Sequence, residues 1–458
     1  IQSPDGASGA FHPRALDVHP DGSEIRITAT AANRIDRFDE TGTHAGSFGH
    51  RDSRTASFNQ LKGIAVDSET ERIYLSDWMD HRIRIFDLRG HYEGSIEPWI
   101  TPQHLTDGSV LSEEIALKKV LTSKFWASGS GHGVVSKFEK KFKEYVKSNS
   151  CVAVNSGTAA LYLAFSLFNL KNKEVILPSM SFVSTAHCII QNGGIPIFVD
   201  ILSDTLCIDP EKIENSISKN TVAILPVHFG GFPCDMKKIS KIAKKHDLKI
   251  IEDAAHAAGT KFNGNKIGSH GTAVCFSFHP AKNLAMPTGG LISINHKNHL
   301  KFKELLFSRR WCGITDRQDT DYDVKELGWN YYMNEFSATI GLEQLKKLDR
   351  LNKIRKKIAK QYSSEITLEH KMPYDENCSY HLYWLIVKNR KKFRTALSEQ
   401  GIETGTHYKP IHKMKMYATK TNLPITEDVG KQIVTIPIHA NLKESEIKKI
   451  IRCINELC

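Results

Sequence analysis

The chain has 458 residues, with 40% hydrophobic and 25% charged residues, proportions typical of an ordinary globular protein of about two to four domains. We find no apolar run of about 18 residues and no signal peptide, so the sequence does not indicate membrane insertion or export. The net charge of +11 is uneven: residues 1–100 carry a net −5 with 10 Arg and 1 Lys, and the remainder carries +16 with 8 Arg and 43 Lys. We expect two parts of different origin.

Residues 1–97 contain an internal repeat with a constant offset of 48 residues. Three pairs of segments align: ALDV at 15–18 with GIAV at 63–66, IRI at 25–27 with IYL at 73–75, and NRIDRFD at 33–39 with HRIRIFD at 81–87. Because apolar residues alternate and Asp/Gly turns follow, the repeat predicts short antiparallel strands.

The pattern resembles NHL repeats, which form the blades of β-propellers. Two blades cannot close a ring, since propellers have about four to eight. Either further blades precede Ile1, or the pair is a remnant packed on something else. As a function we consider docking of a protein or glycan, because the segment shows no catalytic cluster. His81 and His91 fit structural or surface roles better than ligand roles.

Residues 98–110, with Pro98 and Pro102 near the start of this region, are predicted to form a linker. Helices are then predicted at 112–121 and 136–146. The glycines at 129, 131 and 133 do not follow a strand directly, so they make a poor dinucleotide-binding fingerprint.

Short apolar strands alternate with helices from residue 150 to about 295. This alternation predicts a mainly parallel sheet covered on both faces, within a large α/β domain over 111–340. The predicted strands include 175–177, 195–199, 222–226, 249–252 and 274–278.

Three features of this region have a chemical interpretation. Residues 152–161 form a strand, a small polar turn and a helix start, where free amides with Ser156 and Thr158 can seat a phosphate; an ordinary helix cap is an equal alternative. Asp253 ends a predicted buried strand, the edge at which α/β sheets bind ligands. Lys282 lies in a loop between strands 274–278 and 291–294, as a Schiff-base lysine requires, although most loop lysines are solvated.

The C-terminal part begins with a long amphipathic helix over 336–362 and continues with a strand at 380–387 and helices at 391–400 and Glu444–Leu457. It predicts a smaller α+β domain over 341–458. The lysine-rich stretches 137–147, 237–249 and 346–360 have helical spacing without interleaved aromatic residues. They indicate solvated helix faces, and we expect no nucleic-acid partner.

Several segments together resemble the DegT/DnrJ/EryC1/StrS family of pyridoxal phosphate (PLP)-dependent sugar aminotransferases, from about residue 105 to the C-terminus. They are SGTAA at 156–160, LPSMSF at 177–182, EDAAH at 252–256, SFHPAKN at 277–283 and WNYYMNE at 329–335. The segment HYKPIH at 407–412 is similar to a stretch near the substrate in this family, although a polar turn without a role is equally compatible.

The resemblance implies a fold-type-I transferase with PLP as cofactor. Lys282 would carry the cofactor and act as acid and base, and Asp253 would pair with the ring nitrogen. The remaining implied cofactor residues are Gly157, Thr158, Ala159 and Ser277 at the phosphate, Phe182 stacked on the ring and His256 beside it. Residues expected near the substrate are Tyr332, His407 and His412, together with His228, which ends a predicted strand; a loop residue that supports the sheet edge is an equal alternative for His228. Tyr332 stands where many relatives have Arg or Asn, and Met286-Pro287-Thr288 stands where an acidic residue is frequent; both departures concern substrate preference.

The resemblance further implies amino transfer from glutamate or glutamine to a keto-sugar, in particular a nucleotide-linked 3- or 4-keto-deoxysugar, by a homodimer with shared active sites. Family members that dehydrate sugars replace the lysine with histidine, whereas Lys282 is intact. A cyclitol ketone or free keto-sugar acid remains an alternative acceptor, and an inactive scaffold with an NHL-type interaction module is an alternative of another class. Nine cysteines, all after residue 150 and never spaced Cys-x-x-Cys, argue against a disulfide frame or zinc site and favour a cytoplasmic location.

Overall fold

A computed structural model describes eight strands between positions 13 and 96 with residues 41 and 43, and residues 111–458 apart from 128–131, 319 and 418–420. The predicted linker and the glycines at 129 and 131 lie outside the described residues. The chain forms two compact units, Ile1–Pro102 and Gln103–Cys458.

The first unit contains two four-stranded sheets in which each strand pairs antiparallel with the next. Corresponding strands of the two sheets begin 48 residues apart, the period of the sequence repeat. Apolar side chains of these strands, such as Ile35, Phe38, Ile73 and Phe86, are buried. NHL family membership and propeller geometry stay predictions. The strands are β1 (Pro13–Val18), β2 (Glu24–Ala29), β3 (Arg34–Asp39), β4 (His44–Phe48), β5 (Leu61–Asp67), β6 (Arg72–Asp77), β7 (Arg82–Asp87) and β8 (Tyr92–Ile96).

A seven-stranded sheet organises the second unit, in the order β11-β10-β12-β13-β16-β17-β9. Its strands are β9 (Ser150–Val154), β10 (Glu174–Pro178), β11 (Ile195–Val199), β12 (Thr221–Ile224), β13 (Lys249–Asp253), β16 (Ala273–Ser277) and β17 (Gly290–Ile294). The five strands from β11 to β16 are parallel, as the buried apolar runs predict. β17 is antiparallel to both of its neighbours. As a result, β9 runs in the same direction as the parallel strands.

Helices cover this sheet and continue into the C-terminal part of the chain. The long helix begins and ends close to the predicted 336–362, whereas several shorter helices had no separate prediction. The helices are α1 (Leu111–Ser123), α2 (Val134–Val146), α3 (Gly157–Ser166), α4 (Ser184–Gln191), α5 (Pro210–Asn215), α6 (Met236–Lys245), α7 (His299–Arg310), α8 (Glu335–Glu365), α9 (Arg390–Glu399), α10 (Pro424–Gln432) and α11 (Glu444–Leu457).

Three small two-stranded sheets complete the fold. One of these sheets contains β20 (Tyr383–Ile386), in the C-terminal part of the chain. This strand is shorter than the predicted strand 380–387, because the residues before it form a loop towards the large sheet. The pairs are β14 (Lys261–Phe262) with β15 (Asn265–Lys266), β18 (Ile314–Gln318) with β19 (Asp321–Val324), and β20 (Tyr383–Ile386) with β21 (Ile433–Ile436), all antiparallel.

The direction of the strands determines where a site can form. The carboxyl ends of β9, β10, β13 and β16 all meet at one edge of the sheet, which we call the carboxyl edge. Ligands bind at this edge in open α/β sheets. Among the described residues, no helix is long and apolar enough to cross a membrane.

Candidate active site

Lys282 lies in the loop that joins β16 to β17 at the carboxyl edge. Its side chain is half-buried, and its Nζ lies 3.4 Å from Nε2 of His381. Burial lowers the pKa of Lys282 to about 8, although the negative charge of Asp253 opposes the shift. A larger fraction of this amine is therefore neutral near physiological pH than for an exposed lysine, as a nucleophilic lysine needs.

Asp253 ends β13 and is 5% exposed. Its Oδ2 accepts a hydrogen bond from Oγ1 of Thr185 at 2.9 Å, and its Oδ1 accepts one from the Ala255 amide at 3.1 Å. Burial raises the pKa of Asp253, while these donors and the charge of Lys282 oppose the shift. Asp253 makes no ion pair within the described part of the chain. A cationic N–H donor beside it would supply the missing partner.

The N-terminus of α3 lies beside the end of β16. Ser156 caps the helix by accepting from the Ala159 amide at 3.1 Å, and the amides of Gly157 and Thr158 have no protein acceptor among the described residues. A Cβ on Gly157 would lie 2.7 Å from Cβ of Ser277, so only glycine permits this close approach. Free amides and a hydroxyl thus meet at a helix N-terminus, an arrangement that binds phosphate.

Three aromatic side chains stand near these groups. His256 is 7% exposed; its Nδ1 accepts from the Gly230 amide at 3.2 Å, so its Nε2 carries the hydrogen and faces Oη of Tyr408 at 3.3 Å. Burial lowers the pKa of His256 well below its ordinary value, and burial raises that of Tyr408. Phe182 is 54% exposed, with its ring centroid 6.1 Å from that of Tyr408. An exposed aromatic face remains available to a ligand.

Two of the histidines expected near the substrate are fully buried and bonded to protein groups. His228 accepts from the Cys234 amide at Nδ1 (3.1 Å), and its Nε2 donates to Glu252 at 2.8 Å. The ring of His412 lies 2.6 Å from the Ser179 hydroxyl through Nδ1 and 3.3 Å from Glu427 through Nε2. Neither ring nitrogen of either residue is left for a substrate, so the structure adds no support to these two predicted roles.

The other two predicted substrate residues are half-buried. His407 has Nδ1 2.8 Å from the Thr435 hydroxyl, and burial, together with the charge of Lys282, lowers its pKa to about 4. Tyr332 forms an isolated backbone bridge with Val154 at the end of β9, next to the turn that begins α3. Their contacts with a substrate stay predictions.

Sequence reasoning assigned no role to four residues of the site. Three of them, Tyr408, Asn283 and Thr185, lie within or next to the sequence motifs of the family. Their polar character within or beside those motifs is the feature from which a role could have been predicted. His381 contacts Lys282 from 99 positions further along the chain, and no motif surrounds it. Among the described residues, no group of three or more His, Cys, Asp or Glu side chains is arranged to hold a metal ion.

Comparison with known proteins agrees with this geometry. The sequence model of the DegT/DnrJ/EryC1/StrS aminotransferase family matches residues 111–455. The chain belongs to this family. The aminotransferase is 33% identical over 347 residues to the uncharacterized protein MJ1066 of Methanocaldococcus jannaschii, a match that covers 70% of this chain and 89% of the relative.

Two solved structures show the same fold over the second unit. Spr1654 from Streptococcus pneumoniae, in its PLP form, superposes with a TM-score of 0.73 at 25% identity, covering 78% of this chain and 98% of that one. PseC from Helicobacter pylori, an aminotransferase involved in the biosynthesis of pseudoaminic acid, gives 0.72 at 27% identity with the same coverages. The second unit is therefore a fold-type-I aminotransferase, which confirms the predicted enzyme class and the part of the predicted fold class that concerns this unit.

PLP is the cofactor of this aminotransferase, and the residues of the carboxyl edge fit it. Lys282 would hold its aldehyde carbon, buried Asp253 would pair with its ring nitrogen, and the free amides of Gly157 and Thr158 with Ser277 would bind its phosphate. The Ala159 amide is bonded to Ser156, so the structure adds no support to its predicted role at the phosphate. The cofactor supplies an electron sink for breaking a bond at the carbon that bears the amine. The chain itself supplies a lysine amine with a lowered pKa, a buried carboxylate and a helix N-terminus.

Proposed function

We propose that the aminotransferase moves an amino group from glutamate or glutamine to a nucleotide-linked 3- or 4-keto-deoxysugar, in the synthesis of polysaccharide or glycoconjugate precursors. The placement of half-buried Lys282 at the same edge as Asp253 and the open N-terminus of α3 carries this proposal. Spr1654, a putative sugar aminotransferase, supports a sugar acceptor. The basic balance of residues 101–458 suits an anionic sugar nucleotide.

The proposal includes a homodimer with shared active sites. Large apolar side chains are exposed on and just after the β18–β19 hairpin, with Tyr322 54%, Val324 51% and Leu327 85% exposed. An exposed apolar cluster of this kind is typical of a protein contact surface. The predicted cytoplasmic location accords with nine free cysteines, of which seven are buried.

The half-reactions can be followed through the colour of the protein. We expect the PLP-loaded chain to absorb visible light, and glutamate or glutamine to convert this absorption to the near ultraviolet as the amino group is transferred. Lys282→Ala is expected to lose both signals of the wild type, since the amine that holds the cofactor is removed. Lys238→Met, at an exposed position on α6, is the matched control and should behave as wild type.

The amino-loaded protein then identifies the acceptor. Nucleotide-linked keto-deoxysugars are expected to restore the visible absorption, whereas a cyclitol ketone and a free keto-sugar acid are expected to leave it unchanged. Restoration only by one of the latter two would replace the proposed acceptor class. Failure to bind PLP supplied in excess would favour the inactive scaffold with an interaction module.

A further inference from the structure

His381 is the side chain that most directly contacts the reactive amine. It lies in the loop before β20, half-buried, with Nε2 3.4 Å from Nζ of Lys282. Its ring also lies against His256, with centroids 4.4 Å apart. Because this loop belongs to the C-terminal part of the fold and Lys282 to the large sheet, the contact joins two distant segments of the second unit.

The hydrogen bonds around Asn283 determine which nitrogen of His381 carries the hydrogen. Nδ2 of Asn283 donates to Oδ1 of Asn352 and to the carbonyl of Ser379, both at 2.8 Å. Its Oδ1 therefore faces Nδ1 of His381, at 3.3 Å. Since an amide oxygen only accepts, Nδ1 must donate, and in the neutral ring Nε2 then keeps its lone pair.

The surroundings of His381 keep this ring neutral. Burial is the main cause that lowers the pKa of His381 well below its ordinary value. The positive charge of Lys282 lowers this pKa further, and His256, Arg355 and His407 contribute more weakly. The groups in contact with the ring are the Lys282 amine, the His256 ring and the neutral Asn283 amide. With Nδ1 committed to Asn283, Nε2 can act only as an acceptor towards the lysine.

We propose that His381 is a positioning residue for Lys282, accepting a hydrogen bond from Nζ at Nε2 and so orienting the amine while it is free of the cofactor. The proposal deepens the amino-transfer reaction and rests on it. No proton is transferred in this contact. One N–H of Lys282 remains on Nζ and points at His381, so the lone pair of Nζ is directed elsewhere. Such orientation favours the proton transfers in which the free lysine takes part.

Two isosteric substitutions separate this role from simple packing. In His381→Gln, the side-chain amide oxygen reaches the position of Nε2 and can accept from Lys282. In His381→Asn, the shorter amide occupies the position of Nδ1, so it can bond Asn283 but does not reach the lysine. His246→Gln, outside the site and paired with Glu214, is the control for loss of a histidine.

The first measurement needs neither substrate nor cofactor. The rate at which an amine-directed reagent labels Lys282 in the cofactor-free full chain is followed against pH by peptide mapping. A hydrogen-bond acceptor stabilises the ammonium, so His381→Asn should shift the labelling midpoint to lower pH, whereas His381→Gln and the control should retain the wild-type midpoint.

The second measurement is the single-turnover rate of the PLP-loaded protein with glutamate. We expect His381→Asn to lower the rate at saturating glutamate about 10-fold with the concentration for half-saturation unchanged, and His381→Gln to stay within about 3-fold of wild type. If the two variants behave alike in both measurements, His381 acts by packing and the proposal is overturned. If wild type also shows no turnover with glutamate, glutamate is not the donor, and the labelling result still decides the role of His381.

Discussion

Two neighbouring carboxylates on β13, Glu252 and Asp253, face opposite sides of the sheet because successive strand residues alternate. Glu252 bonds the buried His228 and accepts from the Gly271 amide, so both of its oxygens have protein partners. Asp253, equally buried, has two neutral donors and no paired cation among the described residues. The two carboxylates therefore differ in the kind of partner and not in the number of hydrogen bonds: Glu252 bonds a buried histidine ring, whereas Asp253 bonds no titratable side chain. We propose that this difference leaves the Asp253 side of the sheet for the cofactor.

Substitution of Asp253 tests the side of the sheet on which we propose that the cofactor binds, and it should have the largest effect on activity. Asp253→Asn keeps the shape of the side chain but removes the charge that would pair with the ring nitrogen. We expect kcat/KM to fall by about 10²-fold or more, because that charge makes the ring an electron sink. Since burial raises the pKa of Asp253, the ionised carboxylate is costly without cofactor, and the variant should unfold at a denaturant concentration no lower than wild type. Unchanged kcat/KM would remove Asp253 from the site.

Substitution of Glu252 tests the structural side. In Glu252→Gln, the new NH₂ group faces either the Nε2–H of His228 or the Gly271 amide, so two donors confront each other in a buried position. We expect the free energy of unfolding to fall by about 2 kcal/mol, measured by chemical denaturation. The rate with saturating glutamate should remain near that of wild type. A large loss of rate with unchanged stability would reverse the assignment of the two faces.

The comparison also explains which parts of the molecule could be predicted. Lys282, Asp253 and the α3 turn were predicted because each follows a strand within a few residues, and parallel strands bring their carboxyl ends together. Whether His228 and His412 were open to a substrate depended on their partners in other elements and loops, which periodicity does not reveal. The contact of His381 with Lys282 has the same origin. Likewise, the antiparallel β17 could not be distinguished from a parallel strand, because both are buried apolar runs.

The smallest expected effect is on the free energy of unfolding, which the burial of the charged Lys282 amine lowers. Its pKa is about 8 in the folded protein and about 10.5 when unfolded, so the unfolded chain binds more protons between these values. The free energy of unfolding of the cofactor-free protein should therefore rise with pH across this window, with the full burial cost present below pH 8. Lys282→Met should be about 1 kcal/mol more stable than wild type at pH 7, and the difference should vanish towards the upper end of the window.

Lys238→Met, at the exposed α6 position, should show neither change. Identical pH profiles for wild type and Lys282→Met would mean that water solvates Lys282, and the amine would then lack the lowered pKa that distinguishes this side of the sheet.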